Sequence, residues 1–330
     1  MKEYRWAVLG CGAIANELAR AFQTQGRTLY AASNRTQEKA EAFAAQYGIQ
    51  RVYGDFYEML ADENIDIIYI STPHNTHFHF LLEALKNGKH VLCEKSITLN
   101  AGELKQAVNA AEENGLVLAE AMTIYHMPLC KKLHTFIKTG VLGPLRMIQV
   151  NFGSYKEYDM ANRFYSRDLA GGALLDIGVY ALSFIRYFMT EAPNQIVSQV
   201  KFAPTGVDEQ AGILLMNEQQ EMAAVTLSLH AKQPKRAMLA FDKGYIEVYD
   251  YPRAQKAVIT YTRDGRQEVI EAGSTQDALL YEVLDMERAV SGEADEMLLP
   301  YTIDVMRMMT EIRNSWHMKY PEEERELTLK

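Results

Sequence analysis

Up to Met122 the apolar positions switch repeatedly between two periods. Short apolar runs at Arg5–Leu9, Thr28–Ala32, Val52–Tyr53, Ile65–Ile70, His90–Cys93 and Leu116–Ala119 read as strands. Helical patterns stand between them at Ala13–Gln25, Glu38–Tyr47, Phe56–Ala61, His77–Asn87 and Ala101–Asn114. In the first of these, Ile14, Leu18, Ala21 and Phe22 share one face. Gly48, Gly88 and Gly115 follow helices as C-cap signals. Strands alternating with such helices predict βαβ units and a doubly wound parallel sheet.

Beyond Met122 the pattern changes. Leu129–Lys138 is a helix closed by Gly140, Gly143 and Pro144, Arg146–Phe152 alternates as a strand, and Leu174–Phe188 is helical. Strands then follow in series at Ile196–Phe202, Gln210–Met216, Met222–His230, Arg236–Phe241, Tyr245–Tyr249, Ala257–Thr262 and Glu268–Ile270, before helices at Asp277–Val290 and Thr302–Trp316. Sequential strands without intervening helices predict an α+β domain with a large open, mostly antiparallel sheet. The expected fold is therefore α/β, with domains at 1–122 and 123–330. The cluster Met306, Met308 and Met309 has the spacing of a core face. The stretch Gly172–Met189 is interrupted by Asp176 and Arg186 and reads as a core helix, not a membrane span.

Composition narrows the partners. The chain has 330 residues, 48% hydrophobic and 23% charged, with a formal net charge of −9. That balance is globular, and an acidic chain lacks the basic face that nucleic acid requires. Neither nucleic acid nor membrane is an expected partner. Cys11, Cys93 and Cys130 are too scattered for a disulfide framework or a metal site, so no metal is expected and a reducing, cytoplasmic location fits. The opening MKEYRWAVLG lacks the apolar core of a signal peptide.

The chemistry begins at the first strand's end. Gly10-Cys11-Gly12-Ala13-Ile14-Ala15 is a G-x-G-x-x-A turn opening a helix. Gly10 permits the tight turn, Gly12 lets backbone approach a pyrophosphate, Ala15 lets helix and strand sit close, and the helix N-terminus supplies N–H donors. The plainer alternative is a structural turn. The second strand ends in Ser33-Asn34-Arg35-Thr36, without the acid that would receive an NAD ribose. Ser33 and Arg35 suit a 2′-phosphate, which favours NADP, with NAD the other option. Ser33 and Thr36 also serve as helix caps on the plainer reading. Thr72, Pro73, Asn75 and His77 lie in the loop after the Ile65–Ile70 strand, facing the ligand crevice. For Thr76 the alternative is a cap, and for His77 an exposed first-turn residue.

Glu94-Lys95-Ser96 ends another strand, where charges are commonly only solvated. Gly171-Gly172-Ala-Leu-Leu-Asp176-Ile-Gly178-Val-Tyr180 puts Asp176 and Tyr180 four apart, on one face of an otherwise apolar helix. Such a carboxylate faces a cavity or a partner. Tyr180 alone would read equally as a core tyrosine.

Taken together, VLGCGAIA, STPHNTH, Glu94-Lys95, the AEAM stretch before Pro128 and GGALLDIGVYAL resemble the Gfo/Idh/MocA oxidoreductase family over essentially the whole chain. The resemblance implies a Rossmann domain binding NAD(P), a second domain with an open sheet that forms homo-oligomers, dimer or tetramer, and hydride transfer at a hydroxyl or carbonyl carbon. Lys95 matches the lysine of the family's Glu-Lys-Pro motif. Asp176-x-x-x-Tyr180 stands where most members carry Asp-x-x-x-His, a variant similar to the dimeric dihydrodiol dehydrogenase branch with its NADP coenzyme. On that likeness Tyr180 is the acid/base, Lys95 assists it by favouring the phenolate, and Asp176 orients Lys95 or the substrate. Glu94 and Lys95 count also as coenzyme contacts. Ser96 replaces the family's proline, which is expected to move Lys95 or loosen the nicotinamide pocket. Met122–Pro128 lacks the arginine often found there, so the substrate surroundings differ. Substrate contacts are expected from Tyr125, His126, Tyr155, Arg163, Phe164 and Tyr165. Oligomerisation is expected to hide Val225, Leu227, Leu229 and Ile246. The reading from another class is a non-enzymatic dinucleotide sensor on the same fold.

Overall fold

The run Trp-Ala-Val-Leu forms β1 (Trp6–Leu9) and is buried at every position. It is apolar without alternation because a central strand of a parallel sheet is covered on both faces. After it come α1 (Ala13–Thr24), β2 (Ala31–Ser33), α2 (Gln37–Tyr47), β3 (Arg51–Tyr53), α3 (Phe56–Leu60), β4 (Ile67–Ile70), α4 (His74–Lys86), β5 (His90–Glu94), α5 (Ala101–Glu113) and β6 (Leu118–Ala121). The strands pair in parallel in the order β3-β2-β1-β4-β5-β6. The order reverses between β1 and β4, and their carboxyl ends open the crevice where such sheets bind ligands. The sheet starts later than the apolar pattern suggests at β2, and α4 starts earlier, directly after Pro73, which is its extended N-cap. The computed structural model describes residues 3–328.

The second series runs α6 (Thr123–His126), α7 (Pro128–Lys138), β7 (Leu145–Gly153), a π-helical turn at Leu174–Gly178 continuing into α8 (Val179–Phe188), then β8 (Gln195–Phe202), β9 (Asp208–Met216), β10 (Met222–Ser228), β11 (Gln233–Phe241), β12 (Gly244–Tyr249), β13 (Lys256–Tyr261) and β14 (Gln267–Glu271). α9 (Ala278–Ser291), α10 (Leu299–Ser315) and α11 (Pro321–Thr328) close the chain. The eight-stranded sheet has the order β14-β13-β12-β11-β7-β10-β9-β8. Only the β7–β10 pair is parallel, and the others are antiparallel. The stretch Arg167–Phe188 is long and apolar enough to cross a membrane, but 78% of its apolar window is buried inside the protein. Met306, Met308 and Met309 are all buried.

Two compact units result. One holds the chain up to Ala121 together with Gln276–Leu299; the other holds Met122–Thr275 and the chain from Pro300 onward. The expected second domain at 123–330 therefore needs one correction. α9 belongs to the first unit, where Trp6 Nε1 donates to Glu287 Oε1 at 2.8 Å and Arg27 pairs with Glu287 at 2.5 Å. Leu279, Val283 and Met286 bury the apolar face of α9. No local pattern announces that return, because the contacts span more than 250 residues.

The expected oligomer surface also needs correction. Val225, Leu227, Leu229 and Ile246 are all buried in the second unit. The uncovered face carries instead the row Val197, Leu214, Ala224, Gln149, Met238, Glu247, Val258 and Val269, in register across all eight strands. Val197, Leu214 and Val269 are 68%, 51% and 50% exposed. Alternation shows that a strand has two faces; which one a helix covers is a tertiary matter.

Candidate active site

The turn after β1 is held on both sides. Gly10 N–H donates to Ser33 O at 2.9 Å, and Ser71 Oγ donates to Gly10 O at 2.7 Å. Gly10 has φ +95°, and a Cβ there would lie 2.8 Å from Ser71 O. Only glycine suits both the conformation and the approach. Gly12, the N-cap of α1, is exposed, has open space where a Cβ would be, and provides no side-chain cap. The first-turn N–H groups of α1, from Ala13 and Ile14, thus have neither an intrahelical acceptor nor a side-chain cap. This donor set fits a pyrophosphate. Cys11 N–H is taken by Asn34 Oδ1 at 3.2 Å, and burial pushes the Cys11 thiol up to about 11, so it stays protonated at neutral pH.

At the end of β2, Asn34 Nδ2 donates to Thr36 O at 3.0 Å, so Asn34 is engaged at both ends. Ser33 is only 2% exposed, which corrects its expected role as a phosphate ligand: its side chain lies inside, as the last residue of β2. Arg35 is exposed.

The loops after β4 and β5 are joined by two histidines. His77 is fully buried; its Nδ1 lies 2.9 Å from Ser96 O and its Nε2 2.8 Å from Thr72 O. Burial, aided by the Lys95 charge, holds its pKa below the usual value. His77 is therefore no coenzyme contact, as its sequence position suggested, nor an exposed first-turn residue. Both ring nitrogens lie against backbone carbonyls of the two loops, and the neutral ring favoured by the lowered pKa donates to one of them. His74 Nε2 adds a contact of 3.1 Å to Lys95 O. The helical start at His74 puts Thr76 inside α4, where its hydroxyl donates to Pro73 O at 2.7 Å. Thr72 and Asn75 are half-buried and Pro73 is exposed. Glu94 accepts from the Tyr69 hydroxyl and from Lys95 N–H, and Lys95 is half-buried. The Lys95–Ser96 peptide is cis although no proline follows. Sequence reading missed His74, and also Glu120, a buried carboxylate that accepts Ile97 N–H at 3.1 Å.

In the second unit, Asp176 lies within the π-helical turn Leu174–Gly178 that replaces the first turns of the expected α-helix, and Tyr180 is the second residue of α8. Gly178 sits where a Cβ would be 2.8 Å from Leu227 Cδ1, so this segment lies close against β10. π-turns often mark functional positions. Asp176 is buried, 3.9 Å from the Arg163 guanidinium, and Tyr180 is half-buried with its ring 6.0 Å from Phe152. Tyr251, unremarked in the sequence, is fully buried; burial, and then the neighbouring Tyr180, raise its pKa well above the usual value.

The expected substrate contacts separate into two groups. Tyr155 and Arg163 are exposed, and Phe164 is half-buried with Lys156 Nζ 4.0 Å and Arg163 Cζ 4.2 Å from its ring centre. Tyr125, His126 and Tyr165 are interior and are corrected to core residues. Tyr125 stacks on Tyr187 at 6.0 Å and meets Tyr301 edge-on. Tyr165 donates to Leu229 O at 3.1 Å, and burial pushes its phenol up to about 12. Aromatic composition cannot separate a cleft wall from a core, because both bury rings.

A parallel sheet with an open glycine turn, followed by a large open sheet, is the layout of two-domain nicotinamide-coenzyme oxidoreductases. Residues 4–122 match the family model described as "Oxidoreductase family, NAD-binding Rossmann fold", and residues 130–247 match the GFO/IDH/MocA C-terminal domain. The chain belongs to the Gfo/Idh/MocA family and is an NAD(P)-dependent oxidoreductase. It is 31% identical to trans-1,2-dihydrobenzene-1,2-diol dehydrogenase of Homo sapiens, covering 74% of each chain. It is 29% identical to the Xenopus laevis protein of the same name, over 80% of this chain and 81% of that one. Among solved structures, a 3-ketoreductase from Actinomadura kijaniata, in complex with NADP and TDP-benzene, aligns with a TM-score of 0.84 at 23% identity, over 95% of this chain and 98% of that one. An aldose-aldose oxidoreductase from Caulobacter crescentus aligns equally well, with a TM-score of 0.84 at 23% identity over 95% and 97%.

Proposed function

We propose that this protein is an NADP-dependent dehydrogenase or reductase whose substrate is a secondary alcohol or ketone of a sugar-like, diol or small carbonyl compound. The observation that carries this reading is the pair Asp176 and Tyr180 on one interior helix, a buried carboxylate one turn from a half-buried phenol. A bound nicotinamide supplies or accepts the hydride. Tyr180 hydrogen-bonds the reacting oxygen and exchanges its proton. A phenol is a weak base at neutral pH, and the ammonium of Lys95 assists by favouring the phenolate. Asp176 orients Lys95 or the substrate, and Tyr155, Arg163 and Phe164 are the substrate contacts that remain accessible. The first turn of α1 holds the pyrophosphate, and Thr72, Pro73, Asn75 and Glu94 line the coenzyme crevice. Arg35, exposed at the end of a β2 without an acid, receives the 2′-phosphate. The diol dehydrogenases among the relatives support a vicinal diol or its keto form as the substrate class.

The test is turnover with NADPH or NADP against a panel of ketones, aldoses and diols. Tyr180→Phe and Lys95→Ala are each expected to reduce kcat by about 10²–10⁴-fold with coenzyme binding nearly intact. Unchanged turnover sinks the assignment, and tight coenzyme binding without turnover of any substrate would revive the sensor. The uncovered sheet face is the surface we assign to homo-oligomer formation, tested by whether Leu214→Glu lowers the mass in solution. Three unpaired cysteines support a reducing, cytoplasmic location.

A further inference from the structure

The helix bearing Asp176 and Tyr180 begins directly after Gly171–Gly172, and backbone groups at its start are bonded by residues from distant parts of the same unit. Leu174 N–H donates to Asp208 Oδ2 at 2.6 Å. Asp208 is fully buried, and its Oδ1 has no hydrogen-bond partner among the described residues. That oxygen lies against Gly172, where a Cβ would be only 2.2 Å away and where φ is +120°. The second glycine of the pair thus makes room for the carboxyl of Asp208. The Asp208 side chain acts as an N-cap supplied from the start of β9, its Oδ2 accepting the first free N–H of the helix.

A second pin comes from the chain's last segment. Tyr320, fully buried, donates its hydroxyl to Gly171 O at 2.6 Å. The ring of Tyr320 lies 4.8 Å from the guanidinium carbon of Arg313, itself 2% exposed. Arg313 makes two hydrogen bonds to Glu323, at 2.7 and 2.9 Å, and Tyr320 N–H donates to Glu323 Oε2 at 2.8 Å. Arg167 adds a bond to Lys319 O at 3.0 Å and an ion pair with Glu324.

We infer that the segment Met318–Glu324 and Asp208 form a clasp on the start of this helix, and that Tyr320 and Asp208 are positioning residues for Asp176 and Tyr180. Two arguments carry it. A largely buried ion pair such as Arg313–Glu323, with the guanidinium fully inside, is a poor source of stability, since a well-packed apolar substitute does as well or better; its use is to fix one arrangement among several. The helix also needs pins from outside. Its first turns are π-helical, so no continuous α-ladder sets the position of Asp176, and an apolar helix on an apolar sheet can slide at little cost. Short hydrogen bonds at Gly171 O and Leu174 N–H remove that freedom.

The inference rests on the proposed role of Tyr180, and its test separates the two. Tyr320→Phe keeps the ring beside Arg313 and removes only the hydroxyl. It is expected to lower kcat about 3- to 10-fold, the worth of one hydrogen bond. Coenzyme affinity should stay unchanged, the melting temperature should move little, and amide exchange in residues 171–178 should quicken. Asp208→Asn, which keeps an acceptor for Leu174 N–H, should retain more activity than Asp208→Ala. Exchange in 171–178 at the wild-type rate in Tyr320→Phe overturns the clasp, and faster exchange with wild-type kcat overturns its positioning role. If Tyr180→Phe is itself silent, the acid/base reading fails, while the exchange measurement still decides on the clasp.

Discussion

Two helices of this protein begin at a glycine turn, and their N-termini are treated in opposite ways. At α1 the turn Gly10–Gly12 leaves the first amides without a side-chain cap beside open, exposed backbone. At the Leu174–Phe188 segment the pair Gly171–Gly172 is buried, and Asp208 fills the space in front of the first amides. Both ends present the same partial positive charge. An N-terminus left open is available to an anionic ligand, whereas one filled by a carboxylate of its own chain fixes its helix in place. The first arrangement suits coenzyme capture, and the second suits holding a reacting side chain still.

The largest effect that bears on this contrast is Tyr180→Phe, which should abolish most turnover while the α1 turn still binds coenzyme. Gly10→Ala is next. A Cβ at Gly10 meets the Ser71 carbonyl at 2.8 Å in a left-handed conformation. Strain of about 1–3 kcal/mol should appear as weakened coenzyme affinity by titration and as a lower melting temperature. An affinity equal to wild type would mean that the turn is only structural. Arg35→Ala should weaken NADPH binding roughly tenfold, the scale of one charge-assisted hydrogen bond to a phosphate. It should leave NADH binding unchanged, and equal losses for the two coenzymes would remove the NADP preference.

The last effect, on stability and not on turnover or coenzyme affinity, concerns the filled N-terminus and its dependence on pH. Burial raises the Asp208 carboxyl to about 7, against the pull of its hydrogen bonds to Leu174 and the Arg313 charge. The folded protein therefore holds this proton more tightly than the unfolded chain does. The resulting stabilisation is full below the unfolded carboxyl's pKa of about 4 and is lost as pH rises to about 7. The melting temperature of Asp208→Asn relative to wild type should thus climb between pH 4 and 7 and level off above. A difference that does not vary with pH would show that the carboxyl titrates normally.

Much of the first unit was legible in the sequence because its signals are local. Gly10, Gly12 and Ala15 do their work within one turn, and continuously apolar strands such as β1 and β4 are marked by their own residues. The site residues were legible unevenly. The spacing of Asp176 and Tyr180 puts them on one face, the family resemblance gives them their roles, and the structure keeps them on one segment although Asp176 falls inside a π-turn. Ser33, His77, Tyr125, His126 and Tyr165 lie in the interior, which the sequence does not reveal, since a polar or aromatic residue next to a crevice looks the same in sequence whether it faces the crevice or the core. For His77 the deciding fact is a pair of carbonyls, one at Thr72 and one at Ser96, brought to opposite sides of one ring.

By itself, then, the sequence determined the two kinds of sheet, the glycine turn for a dinucleotide, the absence of an acid after β2 and the acid–tyrosine pair. These follow from periodicity and from backbone needs that neighbouring residues reveal. Only the tertiary structure decided which face of the open sheet is covered, that α9 returns to the first unit, and that Asp208 and Tyr320 meet at Gly171 and Gly172. Burial and hydrogen bonding between residues far apart in the chain depend on where strands and helices are brought together, and no local pattern encodes that meeting.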